Sequence, residues 1–170
     1  MHISFRRQIN TATISILLRL FMLPLLSLAT MQAYSLALPV PNPRLQPEDV
    51  VEIVLDALAK NDTPYANAGI ETTFNFASPS NKAVTGPLDR FITMVKGPVY
   101  SVMVDHKSHV LSEVVITNNR AYQWVRLITA SGATVHFGFR LGLQSEGKYK
   151  GMWLTEVVWP LDADVEGIRT

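Results

Sequence analysis

The spacing of apolar residues changes near Val99 from a helical period to strict alternation. Before this point apolar side chains recur every three or four residues, as on one face of an α-helix. Beyond it they alternate with polar ones, as in a half-buried β-strand. Helices followed by consecutive strands indicate an α+β domain, in which the helices cover one face of an antiparallel sheet. With 170 residues, 48% of them apolar, the chain can form one domain with its own core.

Three N-terminal helices are predicted. The first begins at Pro47, where a proline fits the first helical turn. The second begins at Asp62 or Thr63. The third begins with Thr85 as its cap and ends at Gly97, which is followed by proline.

Four strands are predicted after the helices, with a short fifth strand at Val99–Val104 as an option. The four are Val110–Thr117, Arg120–Thr129, Ala133–Leu143 and Tyr149–Trp159. Their expected connections are the two-residue loops Asn118-Asn119 and Ser131-Gly132 and the four-residue segment Ser145–Lys148.

Turn lengths determine which side chains are neighbours across the sheet. With these loops, Trp124 lies opposite Phe139. Arg126 lies opposite Phe137, which in turn faces Glu156. The helix-covered face then has these side chains: Leu111, Val115, Tyr122, Trp124, Ile128, Val135, Phe137, Phe139, Leu141, Met152, Leu154, Val158, Glu113, Arg126 and Glu156.

Charged groups on an apolar, covered face indicate the polar end of a ligand pocket. The predicted lining is Arg126, Glu113, Glu156, Trp124, Tyr122 and Phe137. In one interpretation Arg126 and Glu156 form a structural ion pair. In the other, Arg126 binds an acidic ligand, and Glu113 or Glu156 is a candidate general base with a raised pKa. Neither carboxylate is assigned a catalytic role outright.

The opposite sheet face is predicted to be a homodimer interface, because its mixture of side chains is too apolar for water alone. Its polar and aromatic members are Gln123, His136, Arg140 and Trp153. An alternative for His136 is a catalytic role at a cleft between subunits.

Residues 1–37 have the layout of a secretory signal peptide. Three arginines and no acidic residue accompany an apolar run at 20–29, and Ser35-Leu36-Ala37 matches a small-x-small cleavage site. We therefore expect export to a periplasm, a lumen or the cell exterior, with cleavage near Ala37. The alternatives are an uncleaved membrane anchor formed by residues 14–37 and an organelle transit segment.

The rest of the chain divides into a proline-rich linker at 38–46, a domain at 47–160 and a polar tail at 161–170. Without the three N-terminal arginines, 12 of the 15 basic residues remain against 14 acidic ones, so nucleic acid is not an expected partner. The absence of cysteine excludes disulfides and thiolate-bound metals. No cofactor or metal site is predicted, since His106 and His109 on a strand would point to opposite faces.

The sequence "ASPSNKAVTGPLDRFITMV" (Ala77–Val95), followed by "AYQWVRL" and "GFRLGL", resembles an uncharacterised domain-of-unknown-function family. That family lies within the nuclear-transport-factor-two-like, or SnoaL-like, superfamily and is associated with photosynthetic lineages. The resemblance covers roughly Pro47–Pro160 and implies a cystatin-like cone of helices on a curved sheet. Some members of the superfamily are isomerases or dehydratases, and many only bind ligands or dimerise. No catalytic residues follow from the resemblance.

These observations favour an exported, non-enzymatic module that dimerises and binds a small apolar or acidic ligand in the cone. One alternative is an isomerase or dehydratase with Glu113 or Glu156 as its base. Another is a structural subunit of an exported or membrane-associated complex.

Overall fold

The structure is a computed structural model, and it describes residues 37–162. The predicted signal peptide, the alternative anchor and nearly all of the polar tail lie outside the described residues. Within the described residues, none of the helices combines the length and the apolar character needed to cross a bilayer.

Four α-helices come first in the described part of the chain: α1 (Pro47–Ala59), α2 (Ala68–Asn75), α3 (Pro79–Thr85) and α4 (Leu88–Val95). The first begins at the proline that the sequence indicates, and the carboxylate of Asp49 accepts a hydrogen bond from Gln46 N at 2.7 Å. Its buried face consists of the valines and leucines that recur at helical spacing, namely Val50, Val51, Val54, Leu55 and Leu58.

Helix α2 begins later than predicted. Between α1 and α2 the chain forms a turn, in which Asp62 Oδ1 accepts hydrogen bonds from Asn61 Nδ2 at 2.6 Å and from Asn67 N at 2.9 Å. An aspartate that accepts a hydrogen bond from a nearby backbone N–H, here that of Asn67, competes with helix formation. The prediction of a helix start at Asp62 or Thr63 is therefore wrong, and the start is Ala68.

Helix α3 is an additional helix, which precedes the last of the three predicted helices. Ser78 Oγ accepts a hydrogen bond from Asn81 N at 3.1 Å, and Pro79 occupies the first helical position. A serine cap followed by proline is a normal helix start. The following helix, α4, begins at Leu88 rather than at a Thr85 cap.

The sheet is antiparallel and has five strands within the described residues: β1 (Ser108–Leu111), β2 (Val115–Thr117), β3 (Arg120–Ile128), β4 (Thr134–Leu143) and β5 (Trp153–Leu161). The order is β1-β3-β4-β5, and β2 also pairs with β3. The α+β class is thus confirmed, with one helix more than predicted. The optional strand at Val99–Val104 does not form, and that segment contains a 3-10 turn.

The β3–β4 turn is one residue longer than predicted. Thr129 N donates to Ala133 O at 2.9 Å, so the loop consists of Ala130, Ser131 and Gly132 rather than of Ser131-Gly132. Gly132 has φ 93°, which suits a three-residue hairpin loop whose last residue has a positive φ. A shift of one residue in the pairing of β3 with β4 moves every side chain of β3 to the other face of the sheet relative to β4.

The faces of β3 are accordingly reversed from the prediction. Trp124 lies opposite Gly138, not Phe139, and Arg126 lies opposite His136, not Phe137. The side chains that face the helices are instead the fully buried ones, namely Ala121, Gln123, Val125 and Leu127.

The predicted first strand is divided into β1 and β2 by an extra residue. Leu111 pairs with Val125, whereas Val115 pairs with Tyr122, so the register changes between the two strands. Ser112 bonds to Trp124 at this point through both its backbone N and its Oγ. Glu113 lies in the irregular segment, is exposed and does not pair with Trp124 as predicted.

Strand β5 also contains an irregularity. Val157 pairs with Arg140, and Thr155 pairs with Leu141, so Glu156 is an additional residue between them. Phe137 faces Pro160 rather than Glu156, partly because of this extra residue and mainly because of the longer connection between β4 and β5. The connection from β4 is longer than the predicted Ser145–Lys148, because Gln144 N bonds to Met152 O at 3.0 Å and a 3-10 turn lies between them.

The core lies between the helices and the inner face of the sheet. Fully burying one large apolar side chain contributes about 1.5–3 kcal/mol. The sheet contributes Val125, Leu127, Phe137, Phe139 and Leu141 to this core.

Candidate functional site

The edge of β5 is covered by the segment that enters α3. Thr155 N donates to Phe76 O, and Ser78 N donates to Thr155 O, each at 2.9 Å. From the first turn of α3, Asn81 Nδ2 donates to Glu156 O at 2.9 Å. These bonds hold α3 directly against the irregularity of β5.

A cavity of about 570 Å³ lies beside this irregularity, between the helices and strands β4 and β5. Its deepest wall is apolar and consists of side chains that are at most 5% exposed: Val54, Leu58, Phe91, Val95, Met103 and Phe139. A concave, mostly apolar space of this size is typical of sites for small molecules.

Three charged residues also line the cavity, where it extends past the irregularity of β5 to the sheet face that points away from the helices. Arg140 Nε donates to Glu156 Oε2 at 3.0 Å, and Arg120 Nε lies 3.9 Å from the same oxygen. The side chains of Arg120, Arg140 and Glu156 are 61%, 36% and 23% exposed, so they lie toward solvent while the apolar wall is deep. Two cations and one anion give this end of the cavity a net positive charge.

Gly142 makes the position of the Glu156 carboxylate possible. A Cβ atom at Gly142 would overlap Glu156 Oε1. The missing side chain therefore lets the carboxylate lie flat on β4, within reach of both arginines. A glycine inside a strand often marks such a close approach.

The cavity also contains an unused hydroxyl group. Thr155 is 4% exposed and lines the cavity, and its Oγ1 has no hydrogen-bond partner within the described residues. A buried hydroxyl without a partner is costly. In this place it is available to a bound molecule.

A family model described as "Domain of unknown function (DUF4864)" matches residues 43–160. The chain belongs to the DUF4864 family. No curated protein and no solved structure shows significant similarity to it. The predicted membership in a domain-of-unknown-function family is confirmed, while the superfamily and the photosynthetic association remain predictions.

Of the six side chains predicted for the pocket, Glu156 lines the cavity of the DUF4864 domain. Phe137 lies in the core, and Glu113 is exposed in the segment between β1 and β2. The remaining three lie on the sheet face that points away from the helices, and they are Tyr122, Trp124 and Arg126. The predicted contact of Arg126 with Glu156 over Phe137 is wrong, because Arg126 pairs with His136, which pairs with Leu161, whereas Glu156 lies beside Arg140.

The residues predicted for the dimer interface do not all lie on the same face of the sheet. His136 and Arg140 lie on the outer face, as expected, opposite Arg126 and Tyr122. Gln123 instead faces the core, where its Nε2 donates to Ser112 O at 2.9 Å. Trp153 packs against the core as well, since the extra residue at Glu156 reverses the alternation of β5.

Sequence reasoning missed Arg120, Thr155 and Asn81 as site residues. The signal that was available is Gly142, which stands two residues after Arg140 within a strand pattern. Such a glycine indicates a bulge or a close approach of another group, and here the carboxylate of Glu156 packs against Gly142.

His106 and His109 form a second polar cluster, although the sequence predicted that they point apart. His106 Nε2 lies 2.9 Å from His109 Nδ1, and His106 Nδ1 lies 2.8 Å from Met103 O. The reason is that β1 begins at Ser108, so His106 precedes the strand. Within residues 37–162 no group of three or more His, Asp or Glu side chains is arranged to hold a metal ion.

Proposed function

We propose that this DUF4864 domain binds a small, largely apolar molecule in the cavity between the helices and strand β5. The observation that most supports this is the combination of a deeply buried apolar wall with a partly exposed charged end in one space of about 570 Å³. Apolar walls provide affinity in such sites, and a few polar groups determine the orientation of the ligand.

The cavity is open to solvent at its charged end, so it is a cleft and not a void in the packing. Its apolar wall includes Leu58, Phe91 and Phe139. Covering such a wall with an apolar molecule is favourable by about 25 cal/mol for each Å² of apolar surface removed from water.

A second candidate function is an isomerase or dehydratase with Glu156 as the general base. It is favoured by the presence of the Glu156 carboxylate in the cavity lining. The hydrogen bond from Arg140 to Oε2 opposes it, because that oxygen is already engaged. Glu113 is not part of this candidate, since it is exposed and outside the cavity lining. The two functions differ in outcome: Glu156→Gln abolishes turnover by an enzyme but leaves a binding site able to bind.

Dimerisation through the outer sheet face is also proposed. Exposed valines lie on this face together with Tyr122 and Trp124: Val110 is 43% exposed and Val115 is 58% exposed. A second copy would bury them. Export through residues 1–37, membership in the nuclear-transport-factor-two-like superfamily and, as an alternative role, a structural subunit remain proposals from the sequence.

The decisive experiment is native mass spectrometry of the protein purified from its own host. We expect a small molecule that leaves the protein on denaturation. Met94→Trp should reduce its amount, because Met94 lines the cavity and is 36% exposed, so a larger side chain there narrows the entrance without disturbing the core. The matched control is Val99→Trp, at a 50% exposed position outside the lining. A protein that arrives empty and takes up no apolar compound contradicts the proposal.

A further inference from the structure

We infer that the ligand has a carboxylate head group, and that this group replaces Glu156 on the arginine pair Arg120 and Arg140. The carboxylate of Glu156 then competes with the ligand for the two arginines, and it occupies the polar end of the cavity when the ligand is absent. The inference rests on the proposed binding function, and it specifies the chemical class of the ligand.

The charges at the polar end favour an anion. The two guanidinium groups lie 3.9 Å and 3.0 Å from one oxygen of Glu156, which leaves one positive charge unbalanced. Arg140 uses Nε for Glu156, and within residues 37–162 its terminal nitrogens have no hydrogen-bond partner. Arginine has five N–H donors and binds carboxylates through pairs of them.

The shape of this end favours a planar head group. Glu156 rests on Gly142, where a single Cβ atom would not fit beside the carboxylate. A ligand carboxylate has the same shape and charge as the group it replaces. A tetrahedral phosphate is bulkier, an alcohol leaves the guanidinium charge unpaired, and an amine is repelled by the two arginines.

Thr155 provides a further donor within the same cavity. Its Oγ1 is buried, lines the cavity and lacks a partner within the described residues. Glu156 can leave its place without loss of a strand pair, because it is the additional residue of β5 and its side chain is already 23% exposed. An anion with an apolar tail thus meets donors at the polar end and the apolar wall behind it.

Calorimetric titration of the full-length chain tests this inference. The probes are decanoate, decanol and decylamine, each below its micellar concentration at pH 8. We expect decanoate to bind more tightly than the other two. Glu156→Gln should raise decanoate affinity about three- to fivefold, which is the value of a partly exposed ion pair. Arg140→Gln should lower it about tenfold, while Arg126→Gln, at a position outside the cavity lining, should leave it unchanged.

The possible outcomes separate the inference from the proposed function. Equal binding of decanol and decanoate, or no gain with Glu156→Gln, overturns the carboxylate head group but leaves a cavity that binds apolar molecules. Preference for decylamine overturns it as well. If none of the three probes binds, both proposals fail. If circular dichroism shows that Arg140→Gln does not fold, the decanoate affinity of Glu156→Gln alone decides between these outcomes.

Discussion

Arg140 Nε lies 3.0 Å from Glu156 Oε2, although Arg140 is paired in the sheet with Val157. Two residues of β5, Glu156 and Val157, lie opposite Arg140, because β5 has one residue more than β4 at this point. Bulges of this kind redirect a side chain and are common beside functional sites. Here the bulge, Gly142 beside it and the cap of α3 meet at one end of a large apolar cavity.

Replacing Gly142 with alanine should weaken the contact between Arg140 and Glu156. The new Cβ would overlap the carboxylate, so the side chain of Glu156 must move. We expect the free energy of unfolding to fall by at most about 1 kcal/mol, because the overlapping atoms belong to the end of a flexible, partly exposed side chain that can move away. Urea denaturation measures it. The same substitution in a Glu156→Ala background is the control, and an equally large loss there contradicts the proposed overlap.

Thr155→Val should make the empty protein more stable by about 1 kcal/mol, because it removes a buried hydroxyl without a partner and preserves the side-chain shape. It should also weaken decanoate binding, since the hydroxyl is an unused donor within the cavity. Thermal unfolding with and without decanoate measures both effects.

The control for Thr155 is Thr72→Val. Thr72 is equally buried, but its Oγ1 donates to Ala68 O at 2.9 Å, so this variant should lose about 1 kcal/mol of stability. A destabilised Thr155→Val would show that Thr155 has a partner in solution and would remove it from the site.

The histidine pair predicts a loss of stability in weak acid. Burial lowers the pKa of His106 below its usual 6.5, and the interaction with His109 lowers it further. The hydrogen bond to Met103 O and the nearby carboxylates of Asp56 and Asp105 act in the opposite direction but do not outweigh burial. Because Met103 O can only accept, His106 Nδ1 holds a proton and Nε2 accepts from His109. Protonating Nε2 would place two N–H groups against each other.

The lowered pKa of His106 determines the direction in which folding stability changes with pH. The unfolded chain binds a proton near pH 6.5 that the folded chain resists, so the stability is present above that pH and declines as the pH falls through the folded pKa. Urea denaturation at pH 8 and pH 5 measures the difference. His106→Gln should reduce it, and an unchanged difference would show that another group is responsible.

Dimerisation through the outer sheet face predicts a twofold mass for the full-length chain at micromolar concentration, measured by light scattering. Val115→Arg should give monomers, because Val115 is 58% exposed on that face. Val40→Arg is the control, at a 63% exposed position before the helices. A wild-type monomer at this concentration argues against the interface.

Helix α1 and the two-residue loop Asn118-Asn119 could be predicted, because each depends on local residues. The apolar spacing of α1 is regular, and Thr117 does pair with Arg120 across a loop in which Asn118 has φ 55°. The faces of β3 could not be predicted. Both faces of that strand contain apolar side chains, Tyr122 and Trp124 on one and Val125 and Leu127 on the other, so alternation alone does not identify the buried one.

The candidate site depended on the lengths of two connections in the sheet. A loop of three residues in place of two moved Arg126 to the outer face, and the longer connection between β4 and β5 placed Glu156 beside Arg140 instead of Phe137. Glu156 lines the cavity together with Arg120 and Arg140, which the sequence did not assign to the pocket.

The most direct test of the proposed site is a titration of the isotope-labelled full-length chain with decanoate, followed by amide chemical shifts. We predict the largest changes at Thr155, Glu156 and Asn81, which surround the bulge, and little change at Trp124 and His136 on the outer face. Changes concentrated at Trp124 and His136, or no changes at the bulge at millimolar decanoate, would contradict the account.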